Sequence, residues 1–182
     1  MGTTVKFRAT NYTVPTAGDT DWAADLNSYL SSLSRAVGVI DAQYTAVGNV
    51  GTGEDTLMTY TLPANSLVAS GRGVRVKAWG TLADNVNAKT LKLHFGSVAI
   101  LTKAVAISSL GPWALEAVIL RASLSSQRCM AQLLEIGGPS VVLDLETSSP
   151  TQTETGAIVI KCTGTATDNN DIIQAGMLIE FL

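Results

Sequence analysis

The stretch TYTLPANSLVASGRGVRVKAWGTLADNVNAKTLKLHFG, residues 59–96, indicates the fold because it contains three successive strand patterns. In each pattern apolar and polar positions alternate, which is typical of a strand with one buried face. The apolar sets are Met58, Tyr60 and Leu62, then Val74, Val76 and Ala78, then Leu91, Leu93 and Phe95. Between them, Pro63–Ser66, Ser70–Gly73 and Asp84–Asn87 are rich in residues that favour turns. The sequence therefore predicts an antiparallel meander.

The strand pattern continues beyond residue 96. Further strands are predicted near 98–103, 113–122, 128–136, 140–146, 156–163 and 174–182. Eight or nine strands without a second helical pattern favour two packed sheets. The predicted fold class is therefore mainly β, an antiparallel β-sandwich of the jelly-roll kind, with a closed up-and-down barrel as the alternative.

The start of the chain has a different periodicity. Residues 3–14 form a β-prone arm that ends at Pro15, and one amphipathic helix is predicted after it, capped by Asp19 or Thr20 and ending near Gly38. Its apolar stripe consists of Trp22, Leu26, Tyr29, Leu30 and Leu33. Because such a helix is marginal alone in water, we expect the stripe to pack against the β-domain or against other copies of the chain.

A glycine-rich segment, VGNVGTG at residues 47–53, is the predicted domain boundary. It divides the chain into an attachment and oligomerisation region, residues 1–47, and a β-sandwich domain, residues 48–182. An independent reason to expect oligomers is the charge content, which is 15% here and roughly 25% in ordinary soluble domains. A surface with few charges is suited to burial against other copies or partners.

Composition also excludes several partners. The net charge is −3 and Lys and Arg are scattered along the chain, which argues against binding to nucleic acid. No run approaches the ~18 apolar residues of a membrane span, so no membrane partner is predicted. The start of the chain lacks the apolar core of a signal peptide, and synthesis in a cytoplasm is expected.

Catalytic and metal-binding patterns are weak. His94 is the only histidine and has no nucleophile motif near it, so no catalytic triad is predicted. Cys129 and Cys162 are expected to be buried free thiols, and with one His they do not make a zinc site. Four carboxylates could form a glycosidase pair, but we interpret them as outward-facing strand residues. They are Glu116, Glu135, Asp144 and Glu146. The chain is therefore predicted to be non-enzymatic, with no cofactor and no metal.

Three further features could contact a ligand or a partner. The loops DNVN at 84–87 and DNND at 168–171 offer oxygen ligands for calcium, but without EF-hand spacing a turn role is favoured. Trp79 and Trp113 could stack on sugars, although packing between sheets or subunits is the preferred interpretation. The segment TSSPTQTET, residues 147–155, is predicted to be a long surface loop that could contact partners.

Two parts of the chain resemble structural proteins of tailed bacteriophages. Residues 57–96, with the motifs TYTLPANSL, GVRVKAWGT and NVNAKTLKLHFG, resemble a β-domain of tail-fibre, head-fibre and capsid-decoration proteins. The motifs YTVP at 12–15, AGDTDW at 17–22 and LNSYL at 26–30 resemble a segment that precedes the distal domain of phage fibres.

The resemblance implies a homotrimeric, non-enzymatic virion protein that is made in the host cytoplasm. Its N-terminal arm and helix would bind the major capsid protein or another virion protein, and a jelly-roll domain would face outward. The absence of sequence repeats and heptads favours a capsid-decoration or head-fibre protein over a long tail fibre. The alternative is a tail-fibre or receptor-binding module that binds host surface carbohydrate through Trp79 or Trp113.

Overall fold

The computed structural model describes residues 3–7, 10–14, 38–67, 70–105, 111–137 and 140–182. The chain divides into two compact units, Met1–Gly38 and Val39–Leu182. The predicted helix lies outside the described residues. So do its stripe residues Trp22, Leu26, Tyr29, Leu30 and Leu33.

In the first unit, the β-prone arm is a hairpin. Strand β1 (Thr3–Phe7) pairs antiparallel with β2 (Thr10–Val14), with Thr3 opposite Val14 and Phe7 opposite Thr10. The two strands form a sheet of their own. The prediction of β structure for residues 3–14 is therefore confirmed for the residues that the structure describes.

The rest of the described chain forms two antiparallel sheets. The large sheet contains β3 (Gly38–Gln43), β4 (Val47–Gly48), β6 (Gly73–Leu82), β9 (Gly111–Ser123), β10 (Ser126–Gly137), β11 (Ser140–Ser148) and β13 (Ile172–Phe181). The small sheet contains β5 (Glu54–Leu62), β7 (Lys89–Phe95), β8 (Val98–Val105) and β12 (Ile158–Thr165). The order in the large sheet is β11-β10-β9-β6-β13-β3, with β4 also paired to β13, and the order in the small sheet is β5-β12-β7-β8.

All nine strands predicted after residue 53 are present, but the predicted meander is wrong. Strands β5 and β7 belong to the small sheet, whereas β6 between them lies in the large sheet, paired with β9 and β13. Alternation shows which side chains are buried, but it does not show which strand is the neighbour. The chain here crosses repeatedly from one sheet to the other.

One apolar core lies between the sheets. Its largest fully buried apolar side chains come from both sheets and from the adjoining turn: Trp113, Phe95, Leu62, Leu67, Leu91, Leu93, Ile100, Leu101, Ile119, Leu133 and Ile160. Most of them occupy alternate positions within their strands, although Ile100 and Leu101 are adjacent in β8, so these strands have one side turned toward the opposite sheet. The remaining positions form two outer faces. No described helix is long and apolar enough to cross a membrane.

The glycine-rich segment is held in place by a buried asparagine. Asn49 is fully buried, and its backbone N–H donates to the carbonyl of Ile172 at 3.1 Å. Its Oδ1 accepts from the N–H of Ile172 at 2.9 Å, and its Nδ2 donates to the carbonyl of Asp168 at 2.8 Å. Every polar group of Asn49 is satisfied, since its carbonyl accepts from the N–H of Asn170. The segment after β4 is therefore fixed to the turn before β13.

A buried glutamine fixes the predicted surface loop in the same way. Gln127 is fully buried and donates from Nε2 to the carbonyl of Gln152 at 2.8 Å and to Oε1 of Glu154 at 3.0 Å. Its Oε1 accepts from the N–H of Gln152 at 2.9 Å. Glu154 is itself buried and forms an ion pair with Arg121 at 2.7 Å. The prediction of a surface loop agrees with the exposure of Thr147, Ser149, Thr151, Thr153 and Thr155, but Glu154 departs from it because it turns inward to meet Gln127 and Arg121.

Candidate functional site

The two Asx-rich loops meet at one end of the sandwich. Asn85 donates from Nδ2 to Oδ1 of Asp171 at 2.5 Å, and Nδ2 of Asn87 donates to Oδ2 of Asp171 at 2.9 Å and to Oδ2 of Asp168 at 3.0 Å. Burial raises the pKa of Asp171, but hydrogen bonds from Asn85, the backbone N–H of Asp168 and Asn87 outweigh it, so the pKa lies below its usual value. The loops, predicted as separate turns, form a single network.

A buried lysine supplies the cation of this network. Lys89 is 2% exposed, and its Nζ donates to Oδ1 of Asn85 at 2.6 Å and to the carbonyl of Asn87 at 3.1 Å. An ammonium group in contact with several oxygens resembles a bound metal ion in its charge and partners. Among the described residues, no group of three or more His, Cys, Asp or Glu side chains is arranged to hold a metal ion.

A second polar cluster lies on the outer side of the small sheet. Oε1 of Glu54 accepts from Oγ1 of Thr163 at 2.8 Å and lies 3.3 Å from Nε2 of His94, while its Oε2 contacts Nζ of Lys92. The hydrogen bond from Lys92, with that from Thr163, lowers the pKa of Glu54 to about 2. Burial lowers the pKa of His94, and the nearby Lys161 lowers it further. His94 therefore belongs to a cross-strand polar cluster in which each side chain has a partner.

Threonine dominates this side of the small sheet, and we call the surface the threonine face. Its threonines are Thr163 of the Glu54 cluster and Thr56, Thr59, Thr61, Thr90, Thr102 and Thr165. The Glu54 cluster lies among them, and Val159 is 39% exposed on the same side. Threonine suits an exposed strand because its β-branched side chain favours extended backbone and its hydroxyl bonds to water.

The outer side of the large sheet has the opposite chemistry, and we call it the apolar face. Its apolar residues are Trp79, Ala114, Val118, Leu120, Met130, Leu134, Leu143, Leu145 and Leu178. Leu143 is 64% exposed and Leu145 is 59% exposed. Both lie in a strand that is paired with β10, where leucine side chains are usually buried. In the centre of the face, Arg75 forms ion pairs with Glu116 at 3.3 Å and Glu180 at 3.6 Å.

Trp79 and Trp113, the two predicted ligand contacts, are in different environments. Trp79 is 43% exposed on the apolar face, opposite Gly176 of β13, where a Cβ would overlap its indole ring. Trp113 is 1% exposed and points into the core, because it shares the inward alternation of β9 with Leu115 and Ile119. The structure therefore brings only Trp79 to the surface, and the two indoles do not form one site.

Strand β11 reverses the pattern expected from its sequence. Asp144 and Glu146 were predicted to face outward, yet both lie on the inner side of the strand, each 3.3 Å from Nζ of Lys103 on β8. Hydrogen bonding to Glu146 is the largest cause of the raised pKa of Lys103. Leu143 and Leu145 are consequently turned outward. The prediction is wrong because this edge of the large sheet meets a lysine of the small sheet, rather than the apolar core.

The other singled-out residues are mostly inert. Glu116 faces outward as predicted, whereas Glu135 is wrongly predicted, being 5% exposed in the inward alternation of β10. Cys129 and Cys162 are free and buried, as expected. Burial raises the pKa of Cys129 to about 11 and that of Cys162 to about 12, so neither thiol is reactive at neutral pH.

Comparisons with known proteins include the following two distant likenesses. The chain is similar to the CBM2 module of the evolved Dit of Lactobacillus casei BL23 phage J-1, at 11% identity and a TM-score of 0.34, with 67% of each chain covered. It is similar to a chain in the structure of infectious bursal disease virus Gx strain, at 14% identity and a TM-score of 0.32, covering 80% of this chain and 32% of that chain. No protein family and no curated protein matches the sequence. At these TM-scores neither likeness carries a functional argument.

Proposed function

We propose that this protein is a non-enzymatic structural component of a bacteriophage virion. In this proposal it is a homotrimeric capsid-decoration or head-fibre protein, attached to the particle through its N-terminal region, with the β-sandwich displayed outward. The virion assignment rests on the sequence resemblance of residues 57–96 and 12–30. The fold supports it at the level of architecture, because jelly rolls are common in viral capsid proteins.

The structural observation that best supports the jelly-roll part of the proposal is the strand order. Four strands of the large sheet follow the order β3-β13-β6-β9, and they face the small sheet in the order β5-β12-β7-β8. From β5 to β7 the chain changes sheet at each strand, and β12 and β13 do the same. This crossing pattern is the one expected of a jelly roll, in which two four-stranded sheets are built by Greek-key connections. The hairpin of β10 and β11 would then be an addition to one sheet.

The arrangement of titratable groups supports a non-enzymatic role. The carboxylates considered as a glycosidase pair have other partners, since Glu116 binds Arg75 and both Asp144 and Glu146 bind Lys103. These carboxylates are therefore engaged in ion pairs with basic side chains, whereas a glycosidase needs two carboxylates that face each other across the scissile bond.

Removal of residues 1–37 tests the attachment role. The deletion ends before β3, because a longer one would take a strand out of the large sheet. We expect the truncated protein to fold with the circular dichroism of a β-protein but to lose binding to purified particles that lack the protein. The full-length chain is the control, and electron microscopy of decorated particles locates it. Full occupancy by the truncated protein would contradict the proposal.

Carbohydrate binding is the second candidate function, and the exposure of Trp79 is the observation that favours it. A flat indole on a sheet face can stack on a sugar ring, and Arg75 and Glu116 nearby could bond to hydroxyls. A glycan array with the purified full chain distinguishes the two roles. A decoration protein should give no signal, whereas a signal that is lost in Trp79→Ala and kept in Val159→Ala would favour a receptor-binding module.

A further inference from the structure

We propose that the apolar face is the surface through which copies of this chain pack against one another. This inference rests on the proposed function, in which the protein is a homo-oligomer. It adds the identity of the surface that forms the interface between the copies. Its test needs only the purified full chain, so binding to a particle can fail without affecting it.

The first argument is the continuity of the face. In the register of the sheet, Leu143 lies opposite Leu134, Leu134 opposite Ala114, and Ala114 opposite Trp79. This row crosses four strands without a polar side chain, and it ends where the indole of Trp79 covers Gly176. Exposed apolar residues are ordinary when they are scattered, but a contiguous set marks a contact surface.

The reversed pattern of β11 supports the same conclusion. Two carboxylates are turned to the inside of this strand and held by Lys103, while Leu143 and Leu145 are left in solvent. The opposite orientation would expose the charges and bury the leucines, which is what a monomer needs. The orientation of β11 therefore fits a protein in which the apolar face is covered by another molecule.

The area of the face fits a stable interface between proteins. The face is five strands wide, namely β11, β10, β9, β6 and β13, and neighbouring strands are about 4.8 Å apart. Along each strand it is about nine residues long, with a rise of about 3.3 Å per residue. The face therefore measures about 24 by 30 Å, or about 700 Å² in projection. A standard protein–protein interface buries about 800 Å² on each partner.

Charge makes a second copy of the chain the occupant that fits best. The central charges of the face are Arg75, Lys77, Glu116 and Glu180, two of each sign, and Arg75 already forms ion pairs with both carboxylates. The same charge-balanced centre on a second copy meets it without net repulsion, and sheets can pack face to face about 10 Å apart. A glycan would instead need free polar groups, and three of these four side chains, Arg75, Glu116 and Glu180, would first have to leave their ion pairs to bond to its hydroxyls.

Sedimentation equilibrium of the purified chain tests the proposal. We expect the wild type to be an oligomer, and Leu145→Lys to raise its dissociation constant about tenfold or more, because a lysine would be buried without a partner. The matched control is Val159→Lys, an equally large change at an exposed apolar position on the threonine face, which should leave the mass unchanged. A monomeric wild type, or equal masses for the two variants, would overturn the proposal.

Thiol labelling gives an independent measurement. Cys129 and Cys162 are the only cysteines of the chain and both are buried, so a cysteine introduced at the surface is the reactive one. We expect Leu145→Cys to react with a maleimide more slowly than Val159→Cys in the native protein, and at the same rate in denaturant. Equal native rates would show that the apolar face is open to solvent and that the inference is wrong.

Discussion

The two outer faces of the sandwich share a backbone pattern but differ in chemistry. On both, every second residue points away from the core, yet the small sheet presents threonines around the Glu54 cluster and the large sheet presents leucines around Trp79. The inner faces of the two sheets are alike because both pack against the same core, where apolar side chains are buried. The outer faces do not contribute to this core. The difference in their residues therefore reflects the solvent or partner that each face contacts, rather than a requirement of the fold.

The largest expected difference is between the core and the apolar face. Leu93→Ala should lower the free energy of unfolding by about 2–5 kcal/mol, because it leaves a cavity among fully buried neighbours. Leu145→Ala should cost less than about 0.5 kcal/mol in dilute protein and more as the protein concentration rises, since assembly stabilises the folded chain. Urea unfolding at several protein concentrations measures both. A large cost of Leu145→Ala that does not depend on concentration would mean that the apolar face serves the fold alone.

A smaller effect is expected where Trp79 lies over β13. Gly176→Ala should destabilise the protein by about 1–3 kcal/mol and shift the tryptophan fluorescence, because the added methyl group overlaps the indole ring. Gly53→Ala is the matched control, since nothing lies within 4 Å of a Cβ built there. If both variants are equally stable, Trp79 is not held against the sheet.

The threonine face should be sensitive to acid through Glu54. Its pKa is about 2 in the folded chain and near 4.5 in the unfolded chain, so the unfolded state takes up the proton first as the pH falls. The free energy of unfolding should therefore fall between pH 4.5 and pH 2, by about 1 kcal/mol because Glu54 is partly exposed to solvent. Urea unfolding of wild type and Glu54→Gln over this range isolates the contribution. Identical pH profiles would remove Glu54 as its source.

The smallest effect is expected at Arg75, in the centre of the apolar face. Its ion pairs with Glu116 and Glu180 are partly exposed, so Arg75→Ala should cost less than about 1 kcal/mol in the isolated chain, and less still at high salt. Lys77→Ala on the same strand is the control. A loss above about 2 kcal/mol would mean that these charges are shielded from water, as they would be in a tight assembly.

The strands of the fold could be predicted from the sequence because alternation is a local signal. The nine strands from β5 to β13 were found from it, whereas β3 and β4 were not. Strand β4 has only two residues within the glycine-rich segment, and the six residues of β3 show no regular alternation of buried and exposed positions. Which strands pair could not be predicted either, since partners such as β5 and β12 are about a hundred residues apart.

The polar networks were missed for the same reason, although one signal was available. Lys89 has the same parity as Leu91, Leu93 and Phe95, and this places it on the inner side of β7. Gln127 likewise shares its parity with Cys129, Ala131 and Leu133 in β10. A polar residue in an apolar alternation therefore indicated a buried hydrogen-bonding group. Its partners lie in other loops, and nothing local identifies them.

Lys89 gives the loop end of the sandwich a property that a metal site would lack. A bound metal ion exchanges with free ions in solution, so the occupancy of its site depends on the metal concentration, on chelators and on competing ions. The ammonium group of Lys89 is joined to the chain by its own side chain and is present at the same effective concentration wherever the protein is. Lys89 thus gives the loop at residues 84–87 a cation that dilution cannot remove, and Asn85 and Asn87 join that loop to Asp168 and Asp171.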